Sequence, residues 1–283
     1  MHLLEAEPVA DRAVTATDEP PLLPRPSRMS LGNIEIDTYS EPAFTQEILD
    51  HVKHGKNTRQ IVTVNAQFYV LAEKSSAFRN CLHRAEYLCA DGMPIVWICK
   101  TFGGKDVPRI AGVDLIGDLC REGASQGLRV FLLGGRQGTA AATATLLEKK
   151  YPGIQIAGVV CPPWGFEQNP SALDDVLDAI QSAKPDIVFL ALGAPRQELF
   201  IDRYIRPLGV PIAIGIGGSF EILSGQAPRA PEWMRSKGLE WFYRFAHEPG
   251  RLWKRYLIGN AEFVWCVCKW RLRSLRQTPK LAT

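Results

Sequence analysis

No stretch of the 283-residue chain reaches the roughly 18 uninterrupted apolar residues that a spanning helix needs. The N-terminus has neither a basic n-region nor an apolar h-region, so a soluble or peripheral protein is expected. The chain also lacks an Asp-x-Asp pair, an H-E-x-x-H helix, a nucleophile elbow and a Walker loop. Of its five histidines only His51 and His54 are close in sequence, and a metal site is not expected. Seven cysteines is an odd number, set mostly in apolar runs without the spacing of a disulfide framework, which fits a reducing cytoplasm. Cys266 and Cys268 stand two apart on a helical pattern, about 200° around the axis, so they cannot share a metal ion. The net charge of +3 is too small to suggest nucleic acid.

What is plentiful is tryptophan and positive charge at one end. Residues 228–283 hold five of the seven tryptophans (Trp233, Trp241, Trp253, Trp265, Trp270) and twelve basic residues against four acidic ones. Rings beside cations suit a lipid headgroup interface, where rings enter the acyl boundary and cations meet anionic lipid. The same composition also describes a helical subdomain packed on the body with its cations solvated. At the other end, residues 1–28 carry five prolines and five acids and are expected to form a disordered leader. That leaves 29–227 for one α/β domain and 228–283 for a basic, aromatic appendage.

Between the ends, short β-branched runs alternate with longer amphipathic ones, the pattern of βαβ units. Strands are predicted at 33–37, 60–65, 87–90, 129–133, 155–160, 187–192 and 211–216. Helices are predicted at 42–54, 68–83, 94–102, 113–125, 139–151, 171–183 and 195–205. Near-continuous apolar strands such as 187–192 indicate burial on both faces. The fold class is therefore α/β: a Rossmann-like, mostly parallel sheet with helices on both faces, plus a C-terminal helical appendage expected to bind membrane. Ligands in such a fold lie at the carboxyl ends of the strands. Glycine or polar residues mark five of those ends, at 63–66, 90–92, 134–135, 193–198 and 215–219, the last including Gly217 and Gly218.

Asp91 follows an apolar strand and precedes Gly92, Met93 and Pro94, which open a helix. It reads either as a turn or cap residue or as a general base taking a proton from an incoming hydroxyl, with Thr63 and Asn65 placing the acceptor. Gly134 and Gly135 begin a second strand-to-helix junction, either a tight turn or a place where backbone N–H groups meet a diphosphate. It is a poor G-x-G-x-x-G, and the next strand ends at Val160-Cys161 without the acid that would bind an NAD ribose. Pro195 takes the first helical position of the fourth segment. Arg196, Gln197 and Glu198 behind it either start a solvated helix or read a base, a ribose and a phosphate. Arg109, in a glycine-containing loop, is a phosphate ligand or a surface charge, and Asp114 is a cap of the following helix. With no metal motif, any departing nucleotide diphosphate has to be stabilised by arginines and helix N-termini.

Together, Thr63-Val64-Asn65, Ala90-Asp91-Gly92-Met93-Pro94, Arg109-Ile110-Ala111-Gly112-Val113-Asp114, Gly193-Ala194-Pro195-Arg196-Gln197-Glu198, Ala230-Pro231-Glu232-Trp233-Met234 and Gly238-Leu239-Glu240-Trp241 closely resemble the WecG/TagA/CpsF glycosyltransferases. The order and spacing match over 29–256. The resemblance implies transfer of a hexosyl unit from a UDP-sugar to an undecaprenyl-diphosphate-linked saccharide, inverting and without a metal or other cofactor. UDP-N-acetylmannosamine, its uronic acid, UDP-glucose and UDP-galactose are the donors it admits. It further implies Asp91 as base, Thr63 and Asn65 on the acceptor side, and Arg109 and Gln197 in the donor site. The tail would dock on an anionic membrane surface at the cytoplasmic face of the bacterial inner membrane. It would lend arginines to the site, with Arg229, Arg235, Arg244, Arg251 and Arg255 as candidates. Homo-oligomer formation is left open. Two other readings are a non-catalytic, membrane-associated nucleotide-sugar sensor and an NAD-type oxidoreductase, the latter disfavoured by the missing ribose acid.

Overall fold

The computed structural model describes residues 28–253 and 257–277. The leader assigned to 1–28 lies outside them except for Arg28, which begins a strand. Arg28–Leu31 (β1) and Ile34–Asp37 (β2) form an antiparallel hairpin turning at Gly32-Asn33. The strand predicted at 33–37 therefore pairs with β1 and not with the parallel sheet; the proline-rich composition just upstream hid its partner. Arg28 Nε donates to Asp37 Oδ1 at 2.8 Å, and its Nη2 donates to the Ala85 and Glu86 carbonyls.

After the hairpin come α1 (Glu41–His54), β3 (Arg59–Val64), α2 (Ala66–Lys74), α3 (Ser76–Arg84), β4 (Tyr87–Ala90), α4 (Met93–Gly103) and α5 (Gly112–Gly123). Then follow β5 (Arg129–Gly134), α6 (Thr139–Lys150), β6 (Gln155–Val160), α7 (Pro170–Ala183), β7 (Ile187–Ala191), α8 (Arg196–Phe200), β8 (Ile212–Gly215) and α9 (Ser219–Leu223). The single helix predicted over 68–83 is two helices. Ser75 is extended, and its hydroxyl accepts the Phe78 N–H, so the chain stops and starts again with a new cap.

Strands β3 to β8 form a parallel sheet in the order β4-β3-β8-β7-β5-β6. β3, β4 and β8 are buried along their whole length; β4 and β8 read as unbroken apolar runs, while β3 also buries Arg59, Gln60 and Thr63. One face packs on α1, α5, α6 and α9. The other packs on α2, α3 and α4 at one end and on α7 and α8 at the other. β5 and β7 are neighbours, yet the helices that follow them, α6 and α8, leave to opposite faces. Such a divergence opens a crevice at the carboxyl ends of the strands.

The C-terminal segment forms α10 (Glu232–Ser236), α11 (Glu240–His247), α12 (Pro249–Trp253) and α13 (Gly259–Gln277). α13 shares a core with α2: Phe263 and Val267 are buried there, and the Phe263 ring meets Tyr69 edge-on at 5.5 Å. Trp270 meets Phe102 of α4 at 5.9 Å. The opposite side of α13 leaves Val264, Trp265, Leu272 and Leu275 exposed. Among the described residues no helix is long and apolar enough to cross a membrane.

A buried polar triad ties α1 to the sheet. Arg59 donates to Glu47 at 3.1 Å and to the Tyr87 hydroxyl, which in turn donates to Glu47 at 2.8 Å. Removing the cation strands a buried carboxylate, so Arg59→Met is expected to cost about 3–5 kcal/mol of stability, measured by urea unfolding.

Candidate active site

A cavity of about 770 Å³ lies at the carboxyl edge of the parallel sheet. All six strand ends border it: Thr63 in the last residues of β3 and Asn65 just after it, Asp91 after β4, Gly134 and Gly135 at β5, Trp164 beyond β6, Gly193, Ala194, Arg196 and Gln197 beyond β7, and Gly217 and Gly218 beyond β8. Arg109, Arg136, Glu221, Arg235, Glu240, Trp241 and Arg244 also line it.

Asp91 owes its place to the sheet. Its N–H donates to the Val64 carbonyl at 2.7 Å, extending the β3–β4 ladder one residue, after which the chain turns at Gly92 into α4. The N-cap position of α4 falls on Gly92, so Asp91 stands at the cavity one residue before the helix cap. The Thr63 hydroxyl donates to the Gly215 carbonyl at 3.4 Å. Asn65 is the N-cap of α2: its Oδ1 accepts the N–H groups of Gln67 at 3.0 Å and Phe68 at 3.4 Å. Its amide donors, not its oxygen, are what it can offer a ligand.

The arginines are gathered by two carboxylates. Arg109 donates to Glu240 at 2.8 Å and lies 3.5 Å from Asp114. Asp114 also binds Arg229 and lies 3.9 Å from Arg235. Asp114 is therefore not the expected cap, a position that falls on Ala111. It sits in the first turn of α5, where the helix dipole favours an anion, and collects three guanidinium groups. Arg235 and Arg244 reach the cavity, whereas Arg229 meets Asp114 away from the lining. Arg251 belongs to α12, and Arg255 lies outside the described residues.

The donor-side expectations need correcting. The Gly135 N–H donates to the Ala191 carbonyl at 2.8 Å, so it continues the sheet instead of facing a diphosphate. Gly134 is required by close packing, since a Cβ there would fall 2.9 Å from the Ala191 oxygen. Pro195 precedes α8 as its N-cap, after a cis peptide bond, and does not line the cavity. Arg196 makes a two-pronged pair with Glu167 at 2.7 and 2.9 Å and lies 3.8 Å over the Trp164 ring, so the loop after β6 already occupies it. Burial opposes ionisation of Glu167, but the Arg196 hydrogen bonds prevail and hold its carboxyl below the usual range. Gln197 lines the cavity with its oxygen committed to the Gly193 and Gly217 N–H groups, each at 3.1 Å. Glu198 is fully buried and accepts from Gln197 Nε2 at 2.6 Å, so it reads no ribose.

Trp164, 86% exposed at the rim, escaped the sequence reading because the end of β6 was searched only for an acid. The Pro162-Pro163-Trp164-Gly165 turn was the signal available. Among the described residues no three His, Cys, Asp or Glu side chains are grouped to hold a metal ion.

The sequence model described as the glycosyl transferase WecG/TagA/CpsF family matches residues 29–277. A relative from Bacillus spizizenii, named N-acetylglucosaminyldiphosphoundecaprenol N-acetyl-beta-D-mannosaminyltransferase, is 35% identical over 209 residues, covering 74% of this chain and 78% of the relative. A relative of the same name from Bacillus subtilis is 32% identical over 228 residues, covering 81% and 86%.

Burial pushes the Glu198 carboxyl from its ordinary 4.5 up to about 7, against the hydrogen bonds from Gln197 and the backbone. The folded protein thus keeps a proton that the unfolded chain loses above 4.5. The stability this supplies is complete below that pH and is lost as pH rises through about 7. Melting temperatures across this window should fall more steeply for the wild type than for Glu198→Gln, which cannot titrate; parallel curves would show that Glu198 does not titrate there.

Proposed function

The chain belongs to the WecG/TagA/CpsF glycosyltransferase family and is a hexosyltransferase, and from that premise we propose that it moves a hexosyl unit from a UDP-sugar to an undecaprenyl-diphosphate-linked saccharide. The names of the two Bacillus relatives favour N-acetylmannosaminyl as the unit and N-acetylglucosaminyl-diphospho-undecaprenol as the acceptor. The observation that carries the reading is a single cavity that gathers one strand-end carboxylate, Asp91, with five guanidinium groups, those of Arg109, Arg136, Arg196, Arg235 and Arg244. Membership of an enzyme family sets aside the sensor alternative.

Transfer is a single displacement. Asp91 takes the proton of the acceptor hydroxyl as its oxygen bonds to the anomeric carbon, while the bond from that carbon to the β-phosphate oxygen breaks. UDP leaves with the electron pair, and one attack inverts the centre. Thr63 and the amide of Asn65 orient the acceptor. The cluster of Arg109, Arg229 and Arg235 with Asp114 and Glu240 keeps one net positive charge, and Arg244 adds a second. Preorganised cations of this kind stabilise a leaving diphosphate without a metal ion.

The exposed face of α13, flanked by Lys269, Arg271, Arg273 and Arg276, suits an anionic cytoplasmic leaflet, as do the exposed Trp233 and Phe242 of α10 and α11. Peripheral binding there confines the enzyme with an acceptor that stays in the bilayer.

Asp91→Asn should lower kcat by about two to four powers of ten with UDP affinity retained, and added chelator should leave wild-type UDP release unchanged. A full-rate variant would remove Asp91 from the chemistry. Trp265→Ser combined with Leu272→Ser alters side chains that are 70% and 59% exposed, so stability should hold while sedimentation with phosphatidylglycerol vesicles declines. Undiminished sedimentation would exclude α13 as the membrane face.

A further inference from the structure

Gln197 and Glu198 are adjacent in the first turn of α8, and only Gln197 reaches the cavity. One atom, Gln197 Oε1, accepts the N–H of Gly193 and the N–H of Gly217, joining the turn after β7 to the turn after β8. Both glycines border the cavity, and a Cβ on either would meet nothing within 4 Å, so their α-carbons face open space. The carboxamide can serve two donors in only one of its two orientations; flipped, it would set its own NH2 against two N–H groups. Glu198 supplies the choice, because its Oε1 accepts from Gln197 Nε2 at 2.6 Å. Glu198 is in turn anchored from the layer below: its carbonyl accepts from Gln60 Nε2 at 3.1 Å and Cys81 Sγ at 3.3 Å. Gly215 leaves the room, since a Cβ there would lie 2.6 Å from both Gln197 Nε2 and Glu198 Oε1.

We propose that Glu198 is a positioning residue: without touching substrate it fixes the orientation of Gln197, and through that one amide it holds the Gly193 and Gly217 turns that bound the active-site cavity. Gln197 then acts as a bracket between two loops and not as an acceptor for the donor sugar or base. The kinetic consequence rests on the hexosyltransferase reading; the geometry does not.

The test is a double-mutant cycle on the full-length protein with Glu198→Ala, Gln197→Ala and their combination, beside Glu198→Gln. UDP release yields kcat and the donor KM, and hydrogen exchange followed by mass spectrometry reports the segments 191–198 and 213–219. Each alanine variant should raise the donor KM and lower kcat/KM by up to about a hundredfold, the scale of a misplaced substrate. The combination should be no worse than Gln197→Ala, because both changes cut the same linkage. Glu198→Gln keeps an acceptor oxygen in place and should stay within about threefold of the wild-type kcat/KM, with wild-type exchange in both segments. Losses that multiply in the combination, a Glu198→Ala protein with wild-type kinetics, or a Glu198→Gln protein as impaired as Glu198→Ala would each overturn the proposal. Should Glu198→Ala not accumulate as folded protein, Glu198→Asp, which withdraws the oxygen by one methylene, replaces it under the same criteria. Exchange separates the two ideas. Protection lost in Glu198→Ala and kept in Glu198→Gln upholds the bracket even if no UDP-sugar is turned over, an outcome that would sink only the transferase reading. Unchanged exchange in Glu198→Ala would sink the bracket.

Discussion

Parallel hydrogen bonding between strands is the constraint on which the site depends. Because β3 to β8 all run the same way, their carboxyl ends share one edge, and residues as far apart in sequence as Val62 and Gly215 become neighbours across a ladder. Parallel pairing requires both faces to be covered, which the helical layers do. The opposite departures of α6 and α8 then leave the edge open between β5 and β7. The cavity is thus a consequence of connectivity, and the polar residues at its rim need only occupy the first positions beyond each strand.

Charge is arranged crosswise over that edge. Arg109 of the α/β body reaches Glu240 of the C-terminal segment, while Arg229 and Arg235 of that segment turn to Asp114 of the body. Each pair is partly exposed and contributes at most about 1 kcal/mol alone. As a network they hold α10 and α11 beside the cavity and leave one positive charge in excess of the two carboxylates. α13 completes the arrangement by burying Phe263 and Val267 in the core beneath α2, which leaves its exposed apolar face, Val264, Trp265, Leu272 and Leu275, on the side away from that core.

Much of this was legible. The strand ends were correctly marked because glycine, asparagine and aspartate stand out after apolar runs, and Thr63, Asn65, Asp91 and Arg109 do border one cavity. What misled was any inference about where a polar group points. Arg196 looked available for phosphate and is held by Glu167 and Trp164; Glu198 looked like a ligand and is a buried acceptor; Asp114 looked like a cap and gathers three arginines. Each partner comes from a segment distant in sequence, and local spacing carries no information about it. The hairpin partner of β2 was missed for a different reason, composition outweighing a four-residue alternation.

The sequence by itself determined the α/β alternation, the strand ends where polar residues gather and the family, since periodicity and short-range motifs depend only on neighbours along the chain. Tertiary structure alone decided which rim groups remain directed at a ligand. Hydrogen-bond capacity is finite, and the oxygen of Gln197 and the amide of Gly135 were already taken by atoms that only folding brings near.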